Sequence, residues 1–305
     1  MIRFQITKSA LSFLFALISY FSYGQQQAMY TQYMFNGLAI NPAYAGSHES
    51  ISFTAISRFQ WLGIDGAPET HTASVHSPVP GKNIGIGLVF SNDQIGVTSH
   101  NSVYLSYSYK IQMRALNISM GLQGGFNDFT NDYQALGVND PNLQGTFRRF
   151  RPNFGIGVFV SSDRFYAGVS VPTALKRKMY YGEQGGVAIT ELPHLYITSG
   201  VVLELNPLIK FKPSILVKSV VGAPMEIDVN ANLILDDRVW VGLSYRSFDA
   251  VSALLDFQIN PQLRIGYAYD FTVSELNQAT TGSHEIMINY RLVTAKNKIV
   301  TPRYF

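Results

Sequence analysis

Between residues 50 and 293 apolar and polar residues alternate one for one, in segment after segment. Successive side chains of a β-strand point to opposite faces, so a period of two marks a strand with one apolar and one polar face. In "SISFTAISRF", Ile51, Phe53, Ala55 and Phe59 share one face, and Ser52, Thr54 and Arg58 share the other. "VYLSYSYKI" sets Val103, Leu105, Tyr107 and Tyr109 against Tyr104, Ser106, Ser108 and Lys110. "EIDVNANLIL" and "HEIMINYRL" repeat the pattern near the C-terminus. Fourteen such segments are predicted, at 50–59, 70–77, 83–92, 98–111, 115–127, 152–161, 164–171, 193–205, 210–219, 225–235, 238–247, 250–259, 262–271 and 283–293.

Most are longer than the usual soluble strand of about 5–6 residues. They match the roughly 9–11 residues that a tilted strand needs to cross a bilayer. The connections sort by parity. One set holds "PVPGK", "QMR", "SD", "NPLI", "DD" and "NP"; the other holds 128–151, 172–192 and 271–282, along with shorter members. Short periplasmic turns opposite longer external loops are the asymmetry of an outer-membrane barrel. A soluble propeller or sandwich has no reason to sort its loops in this way. The expected fold is all-β: a 14-stranded antiparallel transmembrane barrel.

Composition agrees. Only 14% of residues are charged, against roughly 25% in an ordinary soluble protein. There is no Cys, which excludes disulfides, Cys-ligated metals and a lipoprotein anchor. Residues 1–24 read as a secretory signal, with Arg3 and Lys8 ahead of an apolar run from Ala10 to Phe21. Ser22 and Gly24 place cleavage before Gln25. The apolar run is too short for a spanning helix, which needs about 20 residues. Loss of Arg3 and Lys8 leaves 21 bases against 20 acids, no electrostatic footprint for nucleic acid.

The polar face of the strands would line the lumen. By parity it carries Arg58, Lys110, Lys212, Lys218, Glu226, Asp228, Arg246, Asp256, Arg264, Asp270, Glu285 and Arg291. Charges of both signs in a narrow interior predict a network of internal ion pairs, because an unpaired buried charge is costly. A selective channel is the other use of such a face. Gly85, Gly87, Gly155, Gly157, Gly168, Gly242 and Gly266 share it, leaving room for an inserted segment or a close backbone approach.

No catalytic constellation stands out, and neither a cofactor nor a metal site is expected. The six His are scattered; His71 and His76, five apart, face opposite sides of a strand. "GIG" at Gly85 and Gly155 lies within strands, not in the strand–loop–helix setting of a phosphate loop. "KRK", Lys176 to Lys178, reads as a solvated charge run in a long loop, with anionic surface lipid as the other reading.

Two stretches exceed what a barrel requires. "MYTQYMFNGLAINPAYAGS", Met29 to Ser47, fits neither helix nor strand. "RFQWLGIDGAPETHTASVHSPV", Arg58 to Val79, surrounds the first external turn. With "GKNIGIGLVFSND", "RPNFGIGVFVSSDRFYAGVSVP", "GSHEIMINYRL" and the terminal "TPRYF", these closely resemble the PorP/SprF family of outer-membrane type IX secretion proteins of Bacteroidota. One departure is Thr173 after Pro172, where the family often has His; that weakens a ligand role there. The resemblance implies a non-catalytic barrel. It implies as partners a secreted cargo protein or gliding adhesin, periplasmic secretion lipoproteins or ring components, and outer-membrane lipid.

The expected organisation is a signal peptide at 1–24, an N-terminal hatch or periplasmic segment at 25–49, the barrel at 50–293 and a periplasmic tail at 294–305, with both termini periplasmic. Tyr30, Gln32, Tyr33, Phe35, Asn36, Asn41, Pro42 and Tyr44 are expected to pack the N-terminal segment into the periplasmic mouth as a plug, or to contact a periplasmic partner. Arg58, Gln60 and Trp61 are expected to receive that segment or to form the rim of strand 1. Asp228, Arg246, Asp256, Arg264, Asp270, Glu285 and Arg291 are the expected lumen charges. Loops 128–151 and 172–192 are candidate cargo contacts. The expected function is docking or anchoring of secreted surface proteins or secretion components; the alternative is a channel or transporter for a small solute.

Overall fold

The computed structural model describes residues 27, 29–48, 50–137, 145–180 and 188–292. The expected signal peptide and the tail at 294–305 lie outside them. The strands are β1 (Ile51–Phe59), β2 (Glu69–Pro78), β3 (Ile84–Ile95), β4 (Thr98–Gln112), β5 (Asn117–Asp132), β6 (Thr146–Ser161) and β7 (Phe165–Val171). There follow β8 (Arg177–Tyr180), β9 (Ala188–Glu191), β10 (His194–Val201), β11 (Leu203–Asn206), β12 (Ile209–Val220), β13 (Glu226–Leu235), β14 (Val239–Arg246), β15 (Ala250–Gln258), β16 (Leu263–Thr272) and β17 (Ser283–Leu292).

Each wall strand pairs antiparallel with its sequence neighbours, and β1 pairs with β17 to join the two ends of the chain. β10 bonds to both β7 and β12, while β11 continues its line beyond Val202 and also pairs with β12. Together β10 and β11 form one wall strand, so the closed antiparallel barrel has 14 strands. β8 and β9 form a separate hairpin within the connection from β7 to β10. No helix among the described residues is long and apolar enough to cross a membrane.

Burial runs opposite to that of a soluble sheet. Ser52, Asn289 and Glu285 on the polar face are buried, whereas Phe53, Ile288 and Tyr290 on the apolar face are exposed. This is the pattern of a wall whose outside meets hydrocarbon and whose inside is filled. The inward charges Arg58, Lys212, Lys218, Asp228, Arg246, Asp256, Arg264, Asp270 and Glu285 are all buried. Leu243, 64% exposed in the middle of β14, belongs to the outer band. Leu243→Arg is expected to lower stability by about 2–4 kcal/mol if its side chain meets the bilayer midplane. Equilibrium urea unfolding of the protein folded into phospholipid vesicles measures it.

The two barrel ends differ. Residues 79–83, 113–116, 162–164, 207–208, 236–238 and 259–262 close one end. In the 236–238 turn, Asp236 and Asp237 both take left-handed backbone conformations, the geometry that closes a hairpin in register with strand twist. The other end carries the connections 60–68 and 273–282 and those after β5 and β7, together with the shorter 96–97, 221–225 and 247–249. The expected loop 128–151 is shorter than predicted, because Asp128–Asp132 extend β5 and Thr146–Arg151 extend β6. The Arg148 guanidinium bonds the Asp128 carboxylate at 2.6 Å, and Phe126 stacks on Phe150 at 4.7 Å. This part of the hairpin carries polar groups on both faces, so the alternation that marks the membrane-spanning part fades.

Candidate functional site

The stretch that fits neither helix nor strand lies inside the barrel. Residues 29–48 form three short helical turns, Tyr33–Phe35, Gly37–Ile40 and Pro42–Tyr44, joined by tight bends. Asn41 starts the last turn: its side-chain oxygen accepts from Ala43 N at 2.9 Å, and Pro42 supplies the fixed φ that favours a first helical position. The turns bond part of their own backbone, as from Asn36 N to the Tyr33 carbonyl at 3.1 Å and from Asn41 N to the Gly37 carbonyl at 2.9 Å, and the wall satisfies other groups.

At one end of the segment, Glu285 of β17 accepts two backbone hydrogen bonds. Thr31 N donates to Oε2 at 2.8 Å, and Gln32 N donates to Oε1 at 2.7 Å. Gln32 Nε2 donates to the Glu285 carbonyl at 3.2 Å. The Thr31 hydroxyl donates to Asp270 and accepts from Arg58 Nη1 at 2.9 Å. Arg58 bridges both carboxylates, at 2.6 Å from Asp270 and 3.1 Å from Glu285. Arg246 lies beside them, 3.2 Å from Asp228 and 3.7 Å from Asp270. Charge-assisted bonds of this kind are the strong ones, and here both partners are withdrawn from water.

The next residues meet other parts of the wall. Tyr30 shares a hydrogen bond with Thr72 at 2.6 Å, and burial pushes its phenol up to about 12, so it stays protonated. Asn230 Nδ2 donates to the Tyr33 hydroxyl at 2.9 Å. Phe35 packs against Trp240 at 5.2 Å, and the Arg264 guanidinium lies over both rings at 5.0 and 4.6 Å. Ser74 donates to Asn36 Oδ1 at 2.7 Å, and Asn41 Nδ2 donates to the Val158 carbonyl at 3.0 Å. Tyr44 packs edge-on against Phe159 and His76, at 5.3 and 5.4 Å.

The inward glycines make this packing possible. A Cβ on Gly121 would collide with Pro42 and Ala43, and one on Gly85 would collide with Ala45. At Gly157 it would meet Asn41, and at Gly266 it would meet Asp256 and Gln32.

The structure therefore brings together Tyr30, Gln32, Tyr33, Phe35, Asn36, Asn41, Pro42 and Tyr44 with Arg58, Asp228, Arg246, Arg264, Asp270 and Glu285. Asp256 faces the same core. Arg291 bonds Asn289 Oδ1 at 3.3 Å. The strand 1 motif divides: Arg58 turns inward to Thr31, while Gln60 and Trp61 stay at the rim. Gln60 N bonds the Pro68 carbonyl at 2.9 Å, and Trp61 N bonds Ser283 Oγ at 3.1 Å. Thr31, at the centre of the charged cluster, is not singled out by sequence; its only signal is its place between Tyr30 and Gln32 in a segment that is. Among the described residues no group of three or more His, Cys, Asp or Glu is arranged to hold a metal ion.

The direction of the segment corrects an expectation. The sequence suggests a segment folding up from the short-turn mouth. Instead Gln27 bonds Thr173, Tyr196 and Lys218, which lie at the long-loop end, while the last described residue, Leu292, ends β17 at the short-turn end. The reason is the location of matching partners: the carboxylates that cap Thr31 and Gln32 sit at the long-loop ends of β16 and β17.

Replacing Glu285 by Gln keeps the shape and removes one carboxylate oxygen. Glu285→Gln is expected to leave the Thr31 or Gln32 amide without its acceptor, a loss of about 1–3 kcal/mol. Hydrogen exchange should speed up at those two amides while the wall amides stay protected.

Against known families, the chain matches the one described as "Type IX secretion system membrane protein PorP/SprF" over residues 22–290. No curated protein matches. Among solved structures, the chain is similar to the CymD monoaromatic hydrocarbon channel, with 10% identity over 89% of this chain and 95% of that one and a TM-score of 0.53. It is also similar to a Pseudomonas aeruginosa FadL homologue, with 13% identity over 85% and 93% and a TM-score of 0.45. At such identity the CymD likeness speaks for the barrel fold alone.

Proposed function

The chain belongs to the PorP/SprF family of type IX secretion system membrane proteins, and from that premise we propose that it is a non-catalytic docking component of the outer membrane. It anchors secreted surface proteins, such as a gliding adhesin, or periplasmic parts of the secretion machinery. The observation that carries this reading is the filled lumen: the chain's own residues 29–48 are seated on β1, β2, β4, β6, β13, β16 and β17. A barrel that uses its interior to hold its own segment offers its rims and loops, rather than a path, to partners. The segment acts as a plug in this reading, and the long-loop end, with its β5–β6 hairpin, presents the outer contact surface.

The test is a deletion strain. The expected result is one large surface protein retained inside the cell while small-solute uptake stays normal. Selective solute permeability of liposomes holding the purified intact protein, with secretion unchanged in the deletion strain, overturns docking in favour of a channel.

A further inference from the structure

We infer that the lumenal segment is threaded from outside: its amino-terminal end, at Gln27, is reached from the external medium, and the chain then descends to the short-turn mouth. The contacts at the two ends of the segment give their heights along the wall. Gln27 bonds Thr173, just beyond the end of β7, and Tyr196, near the start of β10, each at 2.7 Å. Thr31 meets Arg58, Asp270 and Glu285, one or two residues from the long-loop ends of their strands. Further on, Asn36 meets Ser74 in the middle of β2, and Asn41 meets Val158, three residues from the short-turn end of β6.

At the far end, Lys110 Nζ donates to the Gly46 carbonyl at 3.0 Å, and Gly46 N donates to His76 Nδ1 at 3.2 Å. Both partners lie two residues from the short-turn ends of β4 and β2. The two ends of the segment therefore lie at opposite ends of the barrel. Beside Gln27 and Tyr30 lies a cavity of about 110 Å³, bounded by Asp93, His100 and Tyr196, again at the long-loop end. Long loops mark the external face of such barrels, so this end of the segment faces outward. An external partner can grip the beginning of the segment, whereas a periplasmic partner meets only its last residues and the short turns. The inference holds whether the protein docks cargo or conducts.

The absence of Cys makes the test direct. Single variants Gln27→Cys, Asp65→Cys in the 60–68 loop and Lys82→Cys in the 79–83 turn are expressed in a host without the other secretion components. Heat-modified gel mobility selects the folded barrels. A membrane-impermeant maleimide is applied to intact and to outer-membrane-permeabilised cells. In a separate variant a short epitope is placed immediately before Gln27 and probed with antibody on intact cells. The expected result is that Gln27→Cys labels in intact cells as Asp65→Cys does, that Lys82→Cys gains label only after permeabilisation, and that the epitope is detected. Gln27→Cys labelling only with Lys82→Cys after permeabilisation, or failure of both Gln27 probes on intact cells, overturns the inference.

Discussion

Deleting residues 29–47 is expected to convert the barrel from one that leaves a planar lipid bilayer near its baseline current to one that gives open-channel steps. A wall of 14 strands lies between the small barrels that side chains can fill and the porins of 16–18 strands that leave an aqueous channel. The inner face is depleted of bulk where the segment runs, with glycine at 85, 121, 157 and 266. Removing the segment takes Tyr33, Met34, Phe35, Leu38, Ile40 and Tyr44, all buried, from the interior and leaves polar wall groups around the gap. Water and ions then replace them, because a polar-lined space of that size does not stay dry. A subtler variant reports on the same seat. Gly121→Leu places a side chain where Pro42 and Ala43 lie, so the inward half of the segment must leave while the wall keeps its hydrogen bonds. It is expected to conduct, with smaller steps than the deletion. Equal currents from the intact and deleted chains mean that wall side chains close the lumen on their own, and the plug reading fails.

How much of this was legible in the sequence depended on which solvents a stretch meets. Along β1, β13 or β17 one face meets lipid and the other a packed polar lumen, and the two environments impose strict alternation; the predicted spans 50–59, 225–235 and 283–293 agree with the strands to within a residue. In β5 beyond Asn127 and β6 before Pro152 the pattern fades, and "DFTND" and "TFRRFR" read as loop although both are strand. The hairpin Arg177–Tyr180 with Ala188–Glu191 was hidden in the same way.

Parity alone decides which way Asp270 or Glu285 points, and both are buried. Which of them holds the N-terminal segment was not legible. The bond from Thr31 to Glu285 joins residues 254 apart in sequence, and no local pattern encodes such a pair. The inward glycines announced that something approaches the wall. They did not reveal that Asn41 meets Gly157 or that the segment starts from the long-loop end.

Arg58→Met is expected to produce the largest loss of stability from a single substitution in the charged cluster. Arg58 is 1% exposed and holds two carboxylates that would otherwise repel one another, Asp270 at 2.6 Å and Glu285 at 3.1 Å. Removing one member of a buried ion pair costs about 3–5 kcal/mol, because it leaves uncompensated charge. Arg246 offsets only part of this, since it stands 3.7 Å from Asp270 and already serves Asp228. Urea unfolding in vesicles should show the loss. Asp270→Asn added to Arg58→Met should recover part of it by removing one stranded charge, which simple loss of packing does not predict.

Arg58→Lys keeps the charge but replaces the planar fork with a single point of contact, so it should fall between wild type and Met. The cluster also binds the segment through Thr31, whose hydroxyl accepts from Arg58 and donates to Asp270. A double-mutant cycle between Arg58→Met and Thr31→Val therefore separates wall from segment. A coupling near zero means that the charges serve the wall alone. A clear coupling, seen with faster hydrogen exchange at residues 31–36, means that the same salt bridges that brace β1, β16 and β17 also latch the segment in the lumen, so that opening the barrel requires breaking them.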